Sequence, residues 1–204
     1  MSRVVIVSRT RLGNRLCIGG HDINQDMKSL RLLTRQEENQ PADSPLEIGD
    51  IWDLEFQPRP TITPPHVEDV LVTAGKHVKR VEDIASYLID RVTIWSDGPE
   101  ALWDGTLRAT PNGRALVLAE GPIPSCSTGY WQPDYSLDRW RWDENSKSYF
   151  DYTGPSSIRR FSWAGVATAP EHIAQWTLVR VSLARYWDPE TAPAGYYAQI
   201  SGVY

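Results

Sequence analysis

The stretch GDIWDLEFQPRPTITPPHVEDVLV, residues 49–72, decides how this chain is to be read. Trp52, Leu54 and Phe56 alternate with Asp53 and Glu55, which puts three large apolar groups on one face of a strand. Pro58, Pro60, Pro64 and Pro65 then forbid regular structure, because each fixes its own φ and lacks an amide donor. Val67, Val70, Leu71 and Val72 resume a β-type run. Strand, rigid loop, strand: the pattern predicts an antiparallel barrel or sandwich with a shaped loop at its mouth.

Upstream, Val4–Val7 reads as a central strand that Ser8–Arg11 extends with a polar face. Gly13-Asn14 is a turn, Leu16–Ile18 a second strand ended by Gly19-Gly20, and Leu30–Leu33 a third. Downstream, Val78, Val81, Ile84, Ala85, Leu88, Ile89 and Val92 recur at three- and four-residue spacing. That periodicity predicts one short amphipathic helix over Val81–Arg91, with a stripe wide enough to cap a barrel end.

Further strands are expected at Thr93–Trp95 and Ala101–Trp103, and a hairpin around Pro111-Asn112-Gly113. Asp138–Trp142 and Ser148–Tyr152 read as a second hairpin; Ile158–Trp163, Trp176–Tyr186 and Tyr196–Tyr204 complete the set. Residues 121–135 are rich in Pro, Gly and Ser and suggest a boundary, giving modules of 1–120 and 121–204. The fold class expected is mostly β, with two small barrels packed together.

With 204 residues, 41% of them hydrophobic, the chain can bury a real core. Nine Trp and nine Tyr against three Phe favour pleated surfaces and binding faces, since these rings carry polar tips. Cys17 and Cys126 fit neither a disulfide scaffold nor a zinc spacing. No run approaches the length of a membrane helix, so no membrane is expected and a cytoplasmic location is the default. No phosphate-loop, dinucleotide, zinc or nucleophile-elbow motif is present, and neither cofactor nor metal is expected.

Net charge is −5, unevenly spread. Residues 1–35 hold seven Lys and Arg against Asp22 and Asp26, a local balance of +5, which leaves −10 on the rest.

The opening SRTRLGNRLCIGGHDI…SLRLL resembles the start of the dual OB-fold domain family of bacterial conflict (antiphage defence) systems, through Ser8, Arg9, Gly13, Cys17, Gly19 and Arg31. Asp50–Asp53 before Arg59-Pro60, Ala101-Leu102-Trp103-Asp104-Gly105, and Val179–Leu183 followed by Gly195-Tyr196-Tyr197 are similar to later motifs of that family. Leu32-Leu33 departs from the family's proline-bearing strand end, and Asp134–Tyr152 is an aromatic insertion without a counterpart. The resemblance implies two OB-like barrels and sensing of nucleic acid or nucleic-acid-derived invader signals.

An OB barrel holds single strands with a basic groove and rings on which bases stack. Arg9, Arg11, Arg15 and Arg31 are the candidates for the groove, Trp95 and Trp103 for stacking. Trp52 shares its face with Leu54 and Phe56 and reads as core. About five neutralised phosphates would give a salt slope near −4 to −5.

A protein-interaction surface for an effector encoded nearby is the alternative, through Trp131, Trp140, Trp142 and Tyr149 in the aromatic segment 130–152. His66, Glu68 and Asp69 invite an acid–base or metal proposal, but strand alternation separates Asp69 from the other two. No catalytic residue is assigned.

Overall fold

The computed structural model describes residues 1–142 and 147–204. It divides into two units, Met1–Val92 and Thr93–Tyr204.

The first unit contains β1 (Ser2–Leu12), β2 (Arg15–Asp22), β3 (Lys28–Leu33), β4 (Gln40–Pro41), β5 (Asp50–Pro58), β6 (Asp69–Arg80) and the helix α1 (Ile84–Ile89). β1 pairs antiparallel with β2 and β5, β2 with β3, and β5 with β6, while β3 runs parallel to β6. The circuit β1-β2-β3-β6-β5 therefore returns to β1. It is a closed five-stranded Greek-key barrel of the OB type, with β4 added beside β2. Val4, Ile6, Ile18, Leu32 and Leu54 fill it. Gly20 permits the closure, because a Cβ there would meet a Val4 methyl at 2.7 Å.

Two expectations change in this unit. β2 runs through Gly19-Gly20 to Asp22, and β6 continues to Arg80, taking Val78 into a strand. The helix is accordingly short. Asp83 accepts the Ser86 amide at 3.0 Å and sets its start, and Leu88 is its buried residue. The three- and four-residue apolar spacing began inside a strand, so only its second half is helical.

The second unit contains β7 (Ile94–Asp97), β8 (Arg108–Ala109), β9 (Ala115–Leu118), β10 (Thr128–Pro133), β11 (Leu137–Trp142), β12 (Lys147–Tyr152), β13 (Arg160–Trp163), β14 (His172–Ile173), β15 (Val179–Leu183) and β16 (Gly195–Val203). β11, β12 and β13 form an antiparallel meander, β13 runs parallel to β16, and β16 pairs antiparallel with β15. The order β11-β12-β13-β16-β15 repeats the circuit of the first unit. Here no β11–β15 pair closes it among the described residues. β14 adds to β11, β10 to β15 and β7 to β10, leaving a half-barrel. Its core includes Trp131, Phe150, Phe161, Val179, Val181 and Ile200.

The division falls at 92/93 and not at 120/121. Residues 93–120 belong to the second unit because β7 pairs with β10 and β9 with β16. Ala101–Trp103 is no strand either: Pro99–Gly105 forms 3-10 turns, with Trp103 and Asp104 in the left-handed region. The hairpin around Gly113 forms as expected, its glycine at φ +79°. The turn expected across Asp143–Lys147 falls largely outside the described residues. Among those residues, no helix is long and apolar enough to cross a membrane.

Candidate functional site

The early arginines do not share a face. Directly opposed residues of an antiparallel pair point the same way. Arg9 opposes Ile18 and Arg11 opposes Leu16, both interior positions. Arg15 alternates with these on β2, and Arg31 opposes Gly19, on the other side. Arg9 and Arg11 thus extend the inward face beyond the β-bulge near Ser8, while Arg15 and Arg31 lie on the outward one.

Three of the four are also neutralised. Arg9 is paired with Glu47 and donates to the Ser44 carbonyl, and Arg15 is 2.6 Å from Glu38. Arg31 forks onto Asp69, which accepts from Arg59 as well. Burial, the largest single influence, works against the Arg31 charge, but the Asp69 hydrogen bond together with the nearby Asp69 and Glu68 charges and the Cys17 side chain outweighs it and holds the guanidinium above its ordinary value. Arg11 is exposed and has no carboxylate partner among the described residues. Of the seven early cations, Arg3, Arg9, Arg15 and Arg31 are matched by carboxylates of the same unit.

The stacking and partner candidates separate by burial. Trp103 is 2% exposed and Trp131 fully buried, its Nε1 donating to the Asp97 carbonyl at 2.9 Å. Both are core residues, which removes them as contact surfaces. Trp95 is half-buried, 5.4 Å from the Trp103 ring, and lies over Gly129, where a Cβ would collide with it. Trp140 and Tyr149 are different. They oppose each other across β11 and β12, ring centroids 6.1 Å apart, and Trp140 is 38% exposed. The Trp142 side chain lies outside the described residues.

Around Trp140 and Tyr149 the strands assemble a larger cluster. On β12 and β13, Phe150 and Phe161 oppose each other inward, so Tyr149, Asp151 and Arg160 face outward. Arg160 donates two 2.7 Å hydrogen bonds to Asp151, which raise its pKa, and lies 4.1 Å over the Trp140 ring. Arg114 bridges to Arg160 through the backbone. Its guanidinium is 4.2 Å from the Tyr197 ring, 5.7 Å from Trp187 and 5.9 Å from Tyr149. It has no carboxylate partner among the described residues. Burial pushes the Tyr197 phenol up and Arg114 draws it back. Trp187, 48% exposed, packs edge-on to Tyr197 at 5.3 Å.

Tyr197 is itself buried, so Trp140 and Trp187 are the rings this cluster exposes, with Arg114 and Tyr149 partly exposed beside them. Trp140, Tyr149 and Arg160 sit on β11, β12 and β13, Arg114 just before β9, Trp187 between β15 and β16, and Tyr197 on β16. Strands two and three of an OB circuit are the face that takes oligonucleotides, and here these are β12 and β13. Arg114, Arg160, Trp187 and Tyr197 were not picked out from the sequence. Arg114 follows the Gly113 turn, a faint signal, and the rest are brought together by register alone.

His66, Glu68 and Asp69 are all buried, and Asp69 is occupied by Arg31 and Arg59. Among the described residues no group of three His, Cys, Asp or Glu is placed to hold a metal. Among the described residues Cys17 and Cys126 are not joined to each other.

A family model for the dual OB-containing domain matches residues 2–203. The chain belongs to that family. No curated protein and no solved structure matches it. For a dual OB-containing domain the matched span takes in both circuits described above, the closed and the open. Membership supports a binding module in general terms.

Proposed function

We propose that this protein is a non-enzymatic, cytoplasmic binding module of a bacterial antiphage defence system, holding single-stranded nucleic acid on the outer face of its second unit. The observation that carries the reading is the exposed Trp140 ring lying on Arg160, continuous with Arg114 among the Tyr149, Trp187 and Tyr197 rings. Bases stack on rings of this type whatever their sequence, each contributing about 1–3 kcal/mol. Arg160 is already matched by Asp151, so Arg114 supplies the main uncompensated charge. The salt slope is therefore shallow, about −0.7 for one phosphate of a single strand, rather than the −4 to −5 of a fully basic groove.

Fluorescence anisotropy with labelled DNA and RNA oligonucleotides, at low and raised salt, tests this. Binding that weakens roughly 5- to 100-fold in Trp140→Ala, with an unchanged melting curve, supports it. Absence of binding at either salt removes it. Capture of a neighbouring effector protein through Trp140 and Tyr149, without oligonucleotide affinity, would put the scaffold reading in its place.

A further inference from the structure

We infer that the first unit carries a separate small-molecule site, shaped for a planar heterocycle with an attached anionic group, of the class of nucleoside monophosphates. The site is a groove of about 390 Å³, bounded by parts of the segment 34–46 and by β5 and β6. That volume lies within the range of small-ligand sites, about 300–1,000 Å³.

Its lining combines an apolar floor with polar atoms that lack partners. Leu46, Trp52, Leu54 and Val72 contribute the floor. Ser44 is among the lining residues too, and its Oγ and the Trp52 Nε1 are buried without a hydrogen-bond partner among the described residues. Buried polar atoms are paired in the great majority of cases, so two orphans carried by residues of one lining leave hydrogen-bonding capacity that a polar ligand can take up. Trp52 Nε1 can only donate. A ring edge bearing a nitrogen or carbonyl acceptor meets that need.

The anionic half is read from charge. Arg9, Arg15, Arg31 and Arg59 each hold a carboxylate. Arg35, exposed and lining the same groove, holds none among the described residues. A donor at the floor and an unspent guanidinium at the margin fit base and phosphate of one molecule. The site lies in the first unit and does not rest on the oligonucleotide reading of the second.

Calorimetric titration of the full chain with AMP, GMP, CMP and UMP tests it, beside adenosine and inorganic phosphate. Trp52→Phe keeps the ring and deletes the donor, while Arg35→Ala deletes the cation at an exposed position. Saturable binding of at least one monophosphate is expected, weakened about tenfold by either change, as the loss of one such hydrogen bond or charge contact implies. The titrations are repeated in Trp140→Ala, which removes any share of the ring face on the other unit, and the groove's binding persists there. No saturable binding up to about 5 mM, or equal binding of inorganic phosphate alone, overturns the site. So does retention of full affinity in Arg35→Ala, which decides the matter should Trp52→Phe alter the melting curve.

Discussion

The two units share one strand circuit and put it to opposite uses. In the first, the circuit closes and its arginines are matched by carboxylates: Arg3 with Asp53, Arg9 with Glu47, Arg15 with Glu38, Arg31 with Asp69, Arg80 with Asp50. In the second, β11 and β15 stay apart, and the outer face carries rings with an arginine lodged among them. Most arginine charge of the first unit is matched by carboxylates, whereas in the second Arg114 is matched by rings. The lesson is that a local excess of arginine names a binding face only after its carboxylate partners are counted.

The most severe way to break the contrast is to empty the open unit's core. Trp131→Ala removes a fully buried ring packed 5.4 Å from Phe161 and should cost about 3–5 kcal/mol, read from denaturant midpoints. Asp69→Asn strikes the closed unit next, by leaving Arg31 and Arg59 without their shared carboxylate, at about 3 kcal/mol.

Arg114→Gln sharpens the comparison from the other side. It should lower oligonucleotide affinity roughly fivefold and reduce the magnitude of the salt slope by about 0.7, with the fold intact. The smallest effect belongs to Asp83. Hydrogen bonds from Ser86 hold its carboxyl below the usual carboxylate range. A depressed folded value means that the cap's support is complete above the unfolded value, about pH 4, and fades as pH falls through the folded one. Asp83→Ala should abolish that part of the acid dependence, seen as Ser86 amide exchange that no longer accelerates in acid beyond its intrinsic rate.

Much of the architecture was legible, because the apolar run of β1, the alternation in β5 and β15 and the Gly113 turn are local signals. The helix was overdrawn since Val78 fits a helical stripe and a strand equally well until β6 supplies a partner. The division between units was misplaced because a Pro- and Gly-rich stretch looks like a linker, while the pairing of β7 with β10 spans more than thirty residues. Of the site, Trp140 and Tyr149 could be picked out as aromatic candidates. Their joining to Arg114 and Arg160 depends on register between distant strands, and the sequestering of Arg9, Arg15 and Arg31 depends on carboxylates up to 38 residues away.

A barrel left open has two raw margins where backbone donors and acceptors could recruit a foreign strand. Here both margins are stubs: His172–Ile173 on one side and Ile94–Asp97 on the other. An intruding chain would find only two to four residues to zip against. The unit can keep its exposed rings without also offering a template for runaway aggregation.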